Sequence, residues 1–452
     1  CLVTTPETAE KAQGDITLTV TGGTISKIIG GSYAQGLTAE NNELLTVTHG
    51  NITTTISGEK TTSAEFVVGG SKVAGGAGAN LETGKTTLAI TGGTFGKEGK
   101  TDDYELVMGG NYATKTAGSS NLTATTEGSS VAVKGGTFHA SVVGGSVAHN
   151  YSGAGITNVF DNGNTSVTIT GGTFNPSESS LANEQGGINL KAAVIGGGLA
   201  YGANTSTALG SKDAPASSSV SISGDKTVIN GKVVAGSVVA EGGYAAVVHG
   251  NTTLTMQNGT VSDDLVGGGM VQDAGALNPK ESQPDHNLIV TGNAGVTVAG
   301  GKATGEIVGG NYVRGNGSAR VANSLVTITG GEFASDTANK AQYVIGGNKS
   351  MAYQDDTATT TVKGNSSVLV NGDVTIADGA VVGGSMAKVQ NNGKATAIVG
   401  GNSSVTVNKG TLVGVVGGGL AETYSHADGR PRLFRDHQWR HHQQSPVRCC
   451  GK

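Results

Sequence analysis

One short unit recurs through most of this 452-residue chain and constrains its fold more than any other feature. It is clearest as Ser166-Val-Thr-Ile-Thr-Gly-Gly-Thr-Phe174, followed by Ala193-Val-Ile-Gly-Gly-Gly-Leu-Ala200. Apolar residues alternate with threonines within Val167–Thr170, which predicts a strand with one buried face. The glycine pair that follows should end the strand at a corner, because glycine accepts a positive φ or a close backbone approach that other residues do not.

The second half of the unit occurs eleven times, as Val-Val-Gly-Gly or a close variant. The copies lie between 32 residues apart (Ala235 to Gly267) and 52 apart (Gly144 to Gly196), a spacing typical of repeat architectures. A further extended segment precedes each unit, as in Ala245–His249. Three strands per unit with corners between them predict one coil of a parallel β-helix.

The predicted fold is therefore all-β: a β-solenoid of about eleven coils with Gly-Gly corners and no globular α domain. At about 4.8 Å per coil it would be a rod on the order of 50 Å long. An antiparallel sandwich or propeller stays open as an alternative, because alternation does not show strand direction. Few Asn-Gly or Asp-Gly hairpin turns join matched strands, which favours the solenoid.

The composition fits a thin core and excludes several classes of protein. Glycine provides 77 residues and proline only 7, which excludes collagen and a proline-rich disordered chain. Aromatic residues are 4% and charged residues 14%. The formal charge is −5; without the six basic and two acidic residues of 424–452 it is 23 minus 32, or −9, which disfavours nucleic acid as a partner. Cysteine is absent from residues 2–448, so a disulfide framework is excluded there.

No catalytic, cofactor-binding or metal-binding residue is assigned from the sequence, and no cofactor is expected. Gly75–Leu81 resembles one calcium-binding nonapeptide but has Asn80 in the aspartate position and occurs once. The carboxylate pairs and scattered histidines are interpreted as solvated loop charge and isolated side chains. They are Asp102-Asp103, Asp263-Asp264, Asp355-Asp356, His49, His139, His149 and His249.

Threonines that should face outward form another candidate surface. Thr17, Thr19, Thr53, Thr55 and Thr168 belong to this set, which could present a flat hydroxyl array of the kind seen on ice-binding solenoids. Threonine is also simply a good β-former that keeps a strand face wet, and its use here is irregular. The second interpretation is preferred.

The repeated V-T-I-T-G-G-T-F and V-V-G-G-x-x-A units resemble the passenger region of Gram-negative autotransporters, surface proteins of the type V secretion route, across residues 16–421. The resemblance implies a β-helical stalk or adhesin at the cell surface, outer membrane or extracellular space. It would bind host or neighbouring-cell molecules, glycans among them, or itself, without catalysis. It implies membrane attachment only through a translocator barrel, and it carries over no functional residue.

Two alternatives accompany this expectation. A β-helical carbohydrate-active enzyme of the lyase or hydrolase type should gather acidic and basic residues in one groove. Cys1 would suit either the acylated start of a mature lipoprotein or a fragment of a longer chain. In the predicted organisation, residues 1–15 are an unpatterned lead-in, 16–421 the repeat array and 422–452 a separate tail.

The tail differs from the array in composition. It holds five of the seven arginines, the only tryptophan and two of the three cysteines. A basic tail for nucleic acid or lipid and a metal cluster of His437, His441, His442, Cys449 and Cys450 are two interpretations. A third explains more: read one nucleotide later, the codons of Phe434–His442 permit Ser-Val-Thr-Ile-Ser/Asn-Gly-Gly-Thr-Ile. The sequence therefore predicts a frameshift between about Ala421 and Leu433, and a tail that is non-native or disordered.

Overall fold

The computed structural model confirms a parallel β-solenoid of about eleven coils. It describes residues 14–36, 44–75, 78–98, 105–116, 118, 121–151, 154–176, 192–274, 286–333 and 342–424. These residues contain 48 strands and no helix. Every strand pair is parallel and joins a strand to its counterpart in the next coil, so the strands form one sheet of 37 and a second of 11. The strand direction that the sequence left open is thus settled against a sandwich or propeller.

Each complete coil has five strand positions, which we call first to fifth in chain order. Fourth positions carry the Val-Val pair before Gly-Gly, and fifth positions follow it. The first strands are Leu44–Thr48, Gly78–Thr83, Leu122–Thr126, Thr157–Asp161, Thr205–Leu209, Ala245–Val248, Thr357–Val362 and Lys394–Val399. The second strands are Ile16–Val20, Ile52–Ile56, Thr86–Ile90, Ser129–Val133, Thr165–Ile169, Ser218–Ile222 and Thr252–Met256. Leu288–Val298 and Gly317–Ile328 each run through the first and second positions.

The remaining positions are shorter. The third strands are Thr94–Phe95, Thr137–Phe138, Thr173–Phe174, Val228–Ile229, Thr260–Val261, Lys302–Ala303 and Glu332–Phe333. Ser366–Ile376 and Ser403–Leu412 cover second and third positions, while Gly23–Ile29 and Thr61–Val68 cover third and fourth. The fourth strands are Leu106–Met108, Ser141–Val143, Ala192–Ile195, Lys232–Val234, Leu265–Val266, Ile307–Val308, Tyr343–Ile345, Ala380–Val382 and Val415–Val416. The fifth strands are Tyr33–Gly36, Lys72–Gly75, Tyr112–Lys115, Val147–Asn150, Leu199–Tyr201, Val238–Ala240, Met270–Gln272, Tyr312–Arg314, Lys349–Tyr353, Met386–Gln390 and Leu420–Tyr424.

Five strands per coil correct the prediction of three. The third strands are two residues long and the fifth mostly three or four, too short for an alternation to register in the sequence. The first strand Thr205–Leu209 lies in the stretch between the fifth strand Leu199–Tyr201 and the second strand Ser218–Ile222. The last strand, Leu420–Tyr424, continues three residues beyond the predicted end of the array at 421.

The interior of the coils is a continuous apolar core, which we call the inner core. Alternation assigns its faces as the sequence predicted: Ile169 is fully buried and Thr168 is exposed. Phenylalanines of the third strands stack within it, with centroid separations of 5.0 Å for Phe95 and Phe138 and 4.6 Å for Phe138 and Phe174. Each coil therefore adds one layer of aliphatic and aromatic side chains to the core.

The two Gly-Gly pairs of the repeat are glycine for different reasons. In the pair after the second strand, Gly172 has φ +107°, a conformation that other residues rarely adopt. In the pair after the fourth strand, φ is ordinary but space is lacking. A Cβ on Gly144 would lie 2.3 Å from the carbonyl oxygen of Gly196 and 2.9 Å from Val167 Cγ2. The backbone at this second corner bends toward the opposite wall of the coil, so the corner is concave on the outside.

A ladder of side chains caps the backbone just after this concave corner. The N–H of Ser71 donates to Asn111 Oδ1 (2.9 Å), and the N–H of Asn111 donates to Ser146 Oγ (3.0 Å) in the next coil. The ladder would break at Gly198, which has no side chain. There the N–H of Ser146 donates instead to Asp161 Oδ2 (3.0 Å), from the first strand of the next coil, and Ser146 Oγ donates to Asp161 Oδ1 (2.7 Å). The backbone N–H groups of Ser71, Asn111 and Ser146 are thus each satisfied by a side chain of the next coil.

Candidate functional site

A second core lies outside the coil, in the concave corner between the fourth and fifth strands. In the fourth strand of the second coil, Val67 belongs to the inner core, so the adjacent Val68 points to the opposite side. Val68 packs with Phe66 and with Tyr112 of a fifth strand, whereas the neighbouring Ala113 faces inward. We call the space between these outward faces the outer cleft. Because it gathers aromatic and charged side chains from many coils, it is the candidate functional site.

In coils two to five the outer cleft is lined by aromatic side chains, which we call the aromatic segment. Lys72 Nζ lies 4.1 Å from the ring centroid of Phe66 and 4.9 Å from that of Tyr112. Tyr112 Oη lies 3.3 Å from His149 Nδ1, and the His149 ring meets that of Tyr201 edge-on at 4.7 Å. The segment ends where the Tyr201 hydroxyl donates to the carboxylate of Glu241.

Burial dominates the electrostatics of the aromatic segment. It lowers the pKa of His149 to about 3, with a smaller contribution from the charge on Lys72, so the ring is neutral at physiological pH. Burial also lowers the pKa of Lys72 to about 8, helped by the nearby Lys27 ammonium. At the far end, burial raises the pKa of Glu241 to about 7, against the hydrogen bond from Tyr201.

In coils six to eleven the outer cleft carries charged side chains, which we call the ion-pair ladder. Lys232 contacts Asp263 (2.6 Å) and Asp264 (3.0 Å), and Asp264 also lies 3.8 Å from Lys349. The series of contacts continues toward the eleventh coil through three further residues. Lys349 contacts Glu306 (2.5 Å), Glu306 contacts Lys388 (2.7 Å), and Lys388 lies 3.6 Å from Glu422.

Positive and negative groups alternate along this ladder, and the central ones stabilise each other's charges. Burial works to raise the pKa of Asp264, but Lys232 and Lys349 hold it well below its usual range. The pKa of Glu306 is likewise lowered by Lys349 and Lys388 against the effect of burial. Burial lowers the pKa of Lys232, and the Asp264 and Asp263 carboxylates more than reverse this. Two rings add cation-π contacts: Lys349 over Tyr312 (4.4 Å) and Lys388 over Tyr343 (4.6 Å).

This arrangement corrects the interpretation of Asp263-Asp264 as solvated loop charge. Asp264 is buried and paired, and Asp263 shares its lysine. Asp355 is exposed and Asp356 is partly exposed, which is closer to the solvated loop charge that the sequence predicted. Asp102-Asp103 lies outside the described residues. A signal for this pairing was present in the repeat. Lys232, Asp264 and Glu306 each lie three residues before the first position of a Gly-Gly pair or its variant. This position is the column of side chains that faces the fifth strands.

The ion-pair ladder has the residue types of a carbohydrate-active site, but its side chains are poorly accessible to a substrate. Acid–base catalysis needs a group that can reach a substrate proton. Apart from Asp263, at 26%, the ladder side chains are only 5–16% exposed, and each contacts an opposite charge. The arrangement is suited to holding six coils in register.

The histidines of the array do not come together. His49, His139 and His249 are partly exposed at separate places, and of these four His149 is the one that enters the outer cleft. Among the described residues, no group of three or more His, Cys, Asp or Glu side chains is placed to hold a metal ion. In the same part of the chain no helix is long and apolar enough to cross a membrane. Gly75–Leu81 falls partly outside the described residues, and the cysteines and histidines of the tail entirely so.

Two shallow grooves mark the outer surface elsewhere. One of about 300 Å³ lies over the first strands of coils five to seven and is lined mainly by apolar atoms of residues such as Ile156, Ala208 and Val247. The other, of about 520 Å³, follows the corner between first and second strands and is lined by polar groups such as Glu127, Ser130 and Asn162. Neither includes a residue of the ion-pair ladder.

Comparison with known proteins adds no relationship to this geometry. No family model, no curated protein and no solved structure matches the chain.

Proposed function

We propose that this β-helix is a non-enzymatic stalk or adhesin displayed on a Gram-negative cell surface, where it binds host or neighbouring-cell molecules, glycans among them, or copies of itself. The observation that carries the proposal is how the charged side chains are placed and paired. Those that the fold gathers in one cleft neutralise one another, while long outward faces present small polar groups. Such a body offers repeated weak contacts along its length, which display in many copies converts into avidity.

The second strands supply the most regular of these faces. Register aligns one outward hydroxyl per coil over seven successive coils, spaced by about 4.8 Å. The column consists of Thr17, Thr53, Thr87, Ser130, Ser166, Ser219 and Thr253. We call it the hydroxyl column. Its regularity suits contact with an extended partner, such as a glycan chain or the same face of another copy.

Adhesion of protein-coated beads tests the proposal. Beads carrying the chain should aggregate with one another or adhere to glycan-coated or cell surfaces, and lysines at Thr53, Thr87 and Thr253 should reduce adhesion because they disrupt the hydroxyl column. The matched control places three lysines at exposed corner positions instead, Thr21, Thr91 and Gln257, and should adhere as the parent does. Absence of adhesion to all surfaces tested, with the parent correctly folded, would contradict the proposal.

A β-helical carbohydrate-active enzyme is kept as a second candidate, because lysines and carboxylates share one cleft. Its test is turnover of acidic glycans by the purified chain. Product formation that disappears in Lys232→Met, while circular dichroism stays unchanged, would favour the enzyme over the adhesin.

A further inference from the structure

The eleventh coil leaves core positions uncovered that are buried in every neighbouring coil. Val407 is 41% exposed, whereas Val370, its counterpart one coil earlier, is 0% exposed. Val415 is 52% exposed and its counterpart Val381 is 0% exposed. A Cβ on Gly417 would meet nothing within 4 Å, while the equivalent glycines of earlier coils face backbone of the next coil. We call this surface the open coil face.

The open coil face is also a row of unpaired strand edges. Among the described residues, each strand of the eleventh coil pairs with the tenth coil and with no strand beyond it. The four strands are Lys394–Val399, Ser403–Leu412, Val415–Val416 and Leu420–Tyr424. Exposed apolar edges of this kind are templates for another parallel strand.

The sequence of the eleventh coil is that of an interior coil and not of a cap. A terminal repeat of a solenoid usually carries a polar outer face. Here Val405, Val407, Leu412 and Val415 occupy the inward columns with the same residue types as earlier coils. The partner that fits is therefore another coil with valine or isoleucine in those columns and glycine at the same corners.

The degenerate codons of the tail permit such a coil when they are read one nucleotide later. Residues 425–452 lie outside the described part of the chain, so their sequence alone is informative. The shifted reading Ser-Val-Thr-Ile-Ser/Asn-Gly-Gly-Thr-Ile from Phe434–His442 matches Ser404-Val-Thr-Val-Asn-Lys-Gly-Thr-Leu412 in residue type at eight of nine places. At the ninth place the shifted reading has glycine where the eleventh coil has Lys409, and most units of the array also have glycine at this position.

Two glycines of the shifted reading are specific features of it. The codon of Trp439, followed by the first base of an arginine codon, gives GGC or GGA, so the first glycine is obligatory. The second glycine falls opposite Gly410, which has φ +110° and there favours glycine. The same shift permits Val-Val-Gly from Cys449–Gly451, which lies 34 residues after Val415-Val-Gly417, as Gly417 lies 34 residues after Gly383.

We propose that the open coil face is the docking surface for a twelfth coil of this same protein, encoded one nucleotide out of frame with residues 434–451. The proposal rests on the fold and is independent of the proposed function. The twelfth coil would place its valine and isoleucine over Val405 and Val407 and pair in parallel with Ser403–Leu412. A second copy of the chain is the competing occupant.

The test compares two full-length proteins after an independent reading of the gene between codons 421 and 434. One protein is the chain as given; the other is made from the same gene with one nucleotide removed in that interval. We expect the independent reading to lack the extra nucleotide. In the restored protein, amide exchange within Ser403–Leu412 should slow by about 100-fold, and binding of a hydrophobic dye should fall.

Paired variants separate docking from a general change in stability. In the restored protein, Val407→Asp should abolish the added protection, because it places a carboxylate between the two coils, whereas Thr406→Asp on the outward face should leave it intact. An independent reading that keeps the present frame, a stop codon early in the shifted frame, or unchanged exchange in the restored protein would each overturn the proposal. So would a concentration-dependent dimer of the given chain that protects the same strand without the twelfth coil.

Discussion

The inner core and the outer cleft are built by the same strands yet follow different rules. In the inner core most coils supply the same kind of layer, with Val, Ile or Leu at matching positions and three phenylalanines stacked in line. The outer cleft changes along the chain from the aromatic segment to the ion-pair ladder, although both halves occupy the same columns. The interior thus fixes the repeat, and the cleft is where coils with the same backbone become chemically distinct.

The largest effect should come from placing a charge in the inner core. Ile169→Asp buries an unpaired carboxylate between Val133 and Ile222 of the adjacent coils and should lower the free energy of unfolding by about 4–5 kcal/mol. Thr168→Asp, one residue away on the exposed face, should change it by less than about 0.5 kcal/mol. Urea titration followed by circular dichroism measures both. Similar losses at the two positions would mean that the inner core is not the main source of stability.

The next effect should come from breaking the ion-pair ladder at its centre. Lys349→Met leaves Glu306 with one lysine and weakens the compensation of Asp264, so we expect a loss of about 3 kcal/mol. The exposed pair Lys27–Glu65 offers the control, and Lys27→Met should be nearly silent. A double variant, Lys349→Met with Glu306→Leu, should recover part of the loss. If the single and double variants are equally unstable, lost packing and not unpaired charge is the cause.

A pH-dependent effect of intermediate size should come from Asp161. Burial raises the pKa of this carboxyl to about 6, against its hydrogen bonds from Ser146. The folded state therefore binds the proton more tightly than the unfolded state, so the contribution is full below pH 3.8 and is lost as pH rises through 6. It amounts to roughly 3 kcal/mol at most.

Asp161→Asn should remove this dependence, because an amide keeps an acceptor for the N–H of Ser146 and does not ionise. The measurement is the difference between parent and variant in unfolding free energy from pH 4 to pH 7.5. A difference that stays constant over this range would show that Asp161 has the same pKa in both states.

The smallest effect should come from the aromatic segment. The lowered pKa of Lys72, about 8, means that the unfolded state holds this proton more tightly. Its contribution to stability therefore rises as pH increases from 8 toward 10.5. Lys72→Met should stabilise the protein at pH 7 by about 1 kcal/mol, because the lost cation-π contacts offset part of the gain. Thermal unfolding of parent and variant at pH 7 and pH 10 checks this; a destabilised variant at pH 7 would mean that the ring contacts dominate.

The sequence predicted those parts of the fold that depend on local pattern. Alternation in Ser166–Thr170 gave the right strand and the right buried face, and the repeated Gly-Gly pairs gave the number of coils. It did not show why the second Gly-Gly pair is needed, since that depends on the approach of Gly144 to a coil 52 residues later. It also did not predict the third and fifth strands, which are too short to show a period.

The candidate site was largely beyond the sequence, for a physical reason. Glu306 and Lys388 are 82 residues apart, and nothing local links them. Their pairing follows from which column each residue occupies and from the concave corner that brings two columns together. Aligning the coils on Gly-Gly reveals the charged columns, but only the bend of the backbone shows that the columns face each other across a cleft.

The ion-pair ladder has a consequence for how the rod comes apart. In a simple solenoid each repeat touches only its neighbours, and terminal repeats can detach one at a time. Here Glu306 of the eighth coil holds Lys388 of the tenth, and the Tyr343 hydroxyl of the ninth donates to Glu422 of the eleventh. Removing one coil from this end breaks bonds to two others, so fraying should proceed in larger cooperative steps than at the opposite end, where the ring contacts described above join adjacent coils.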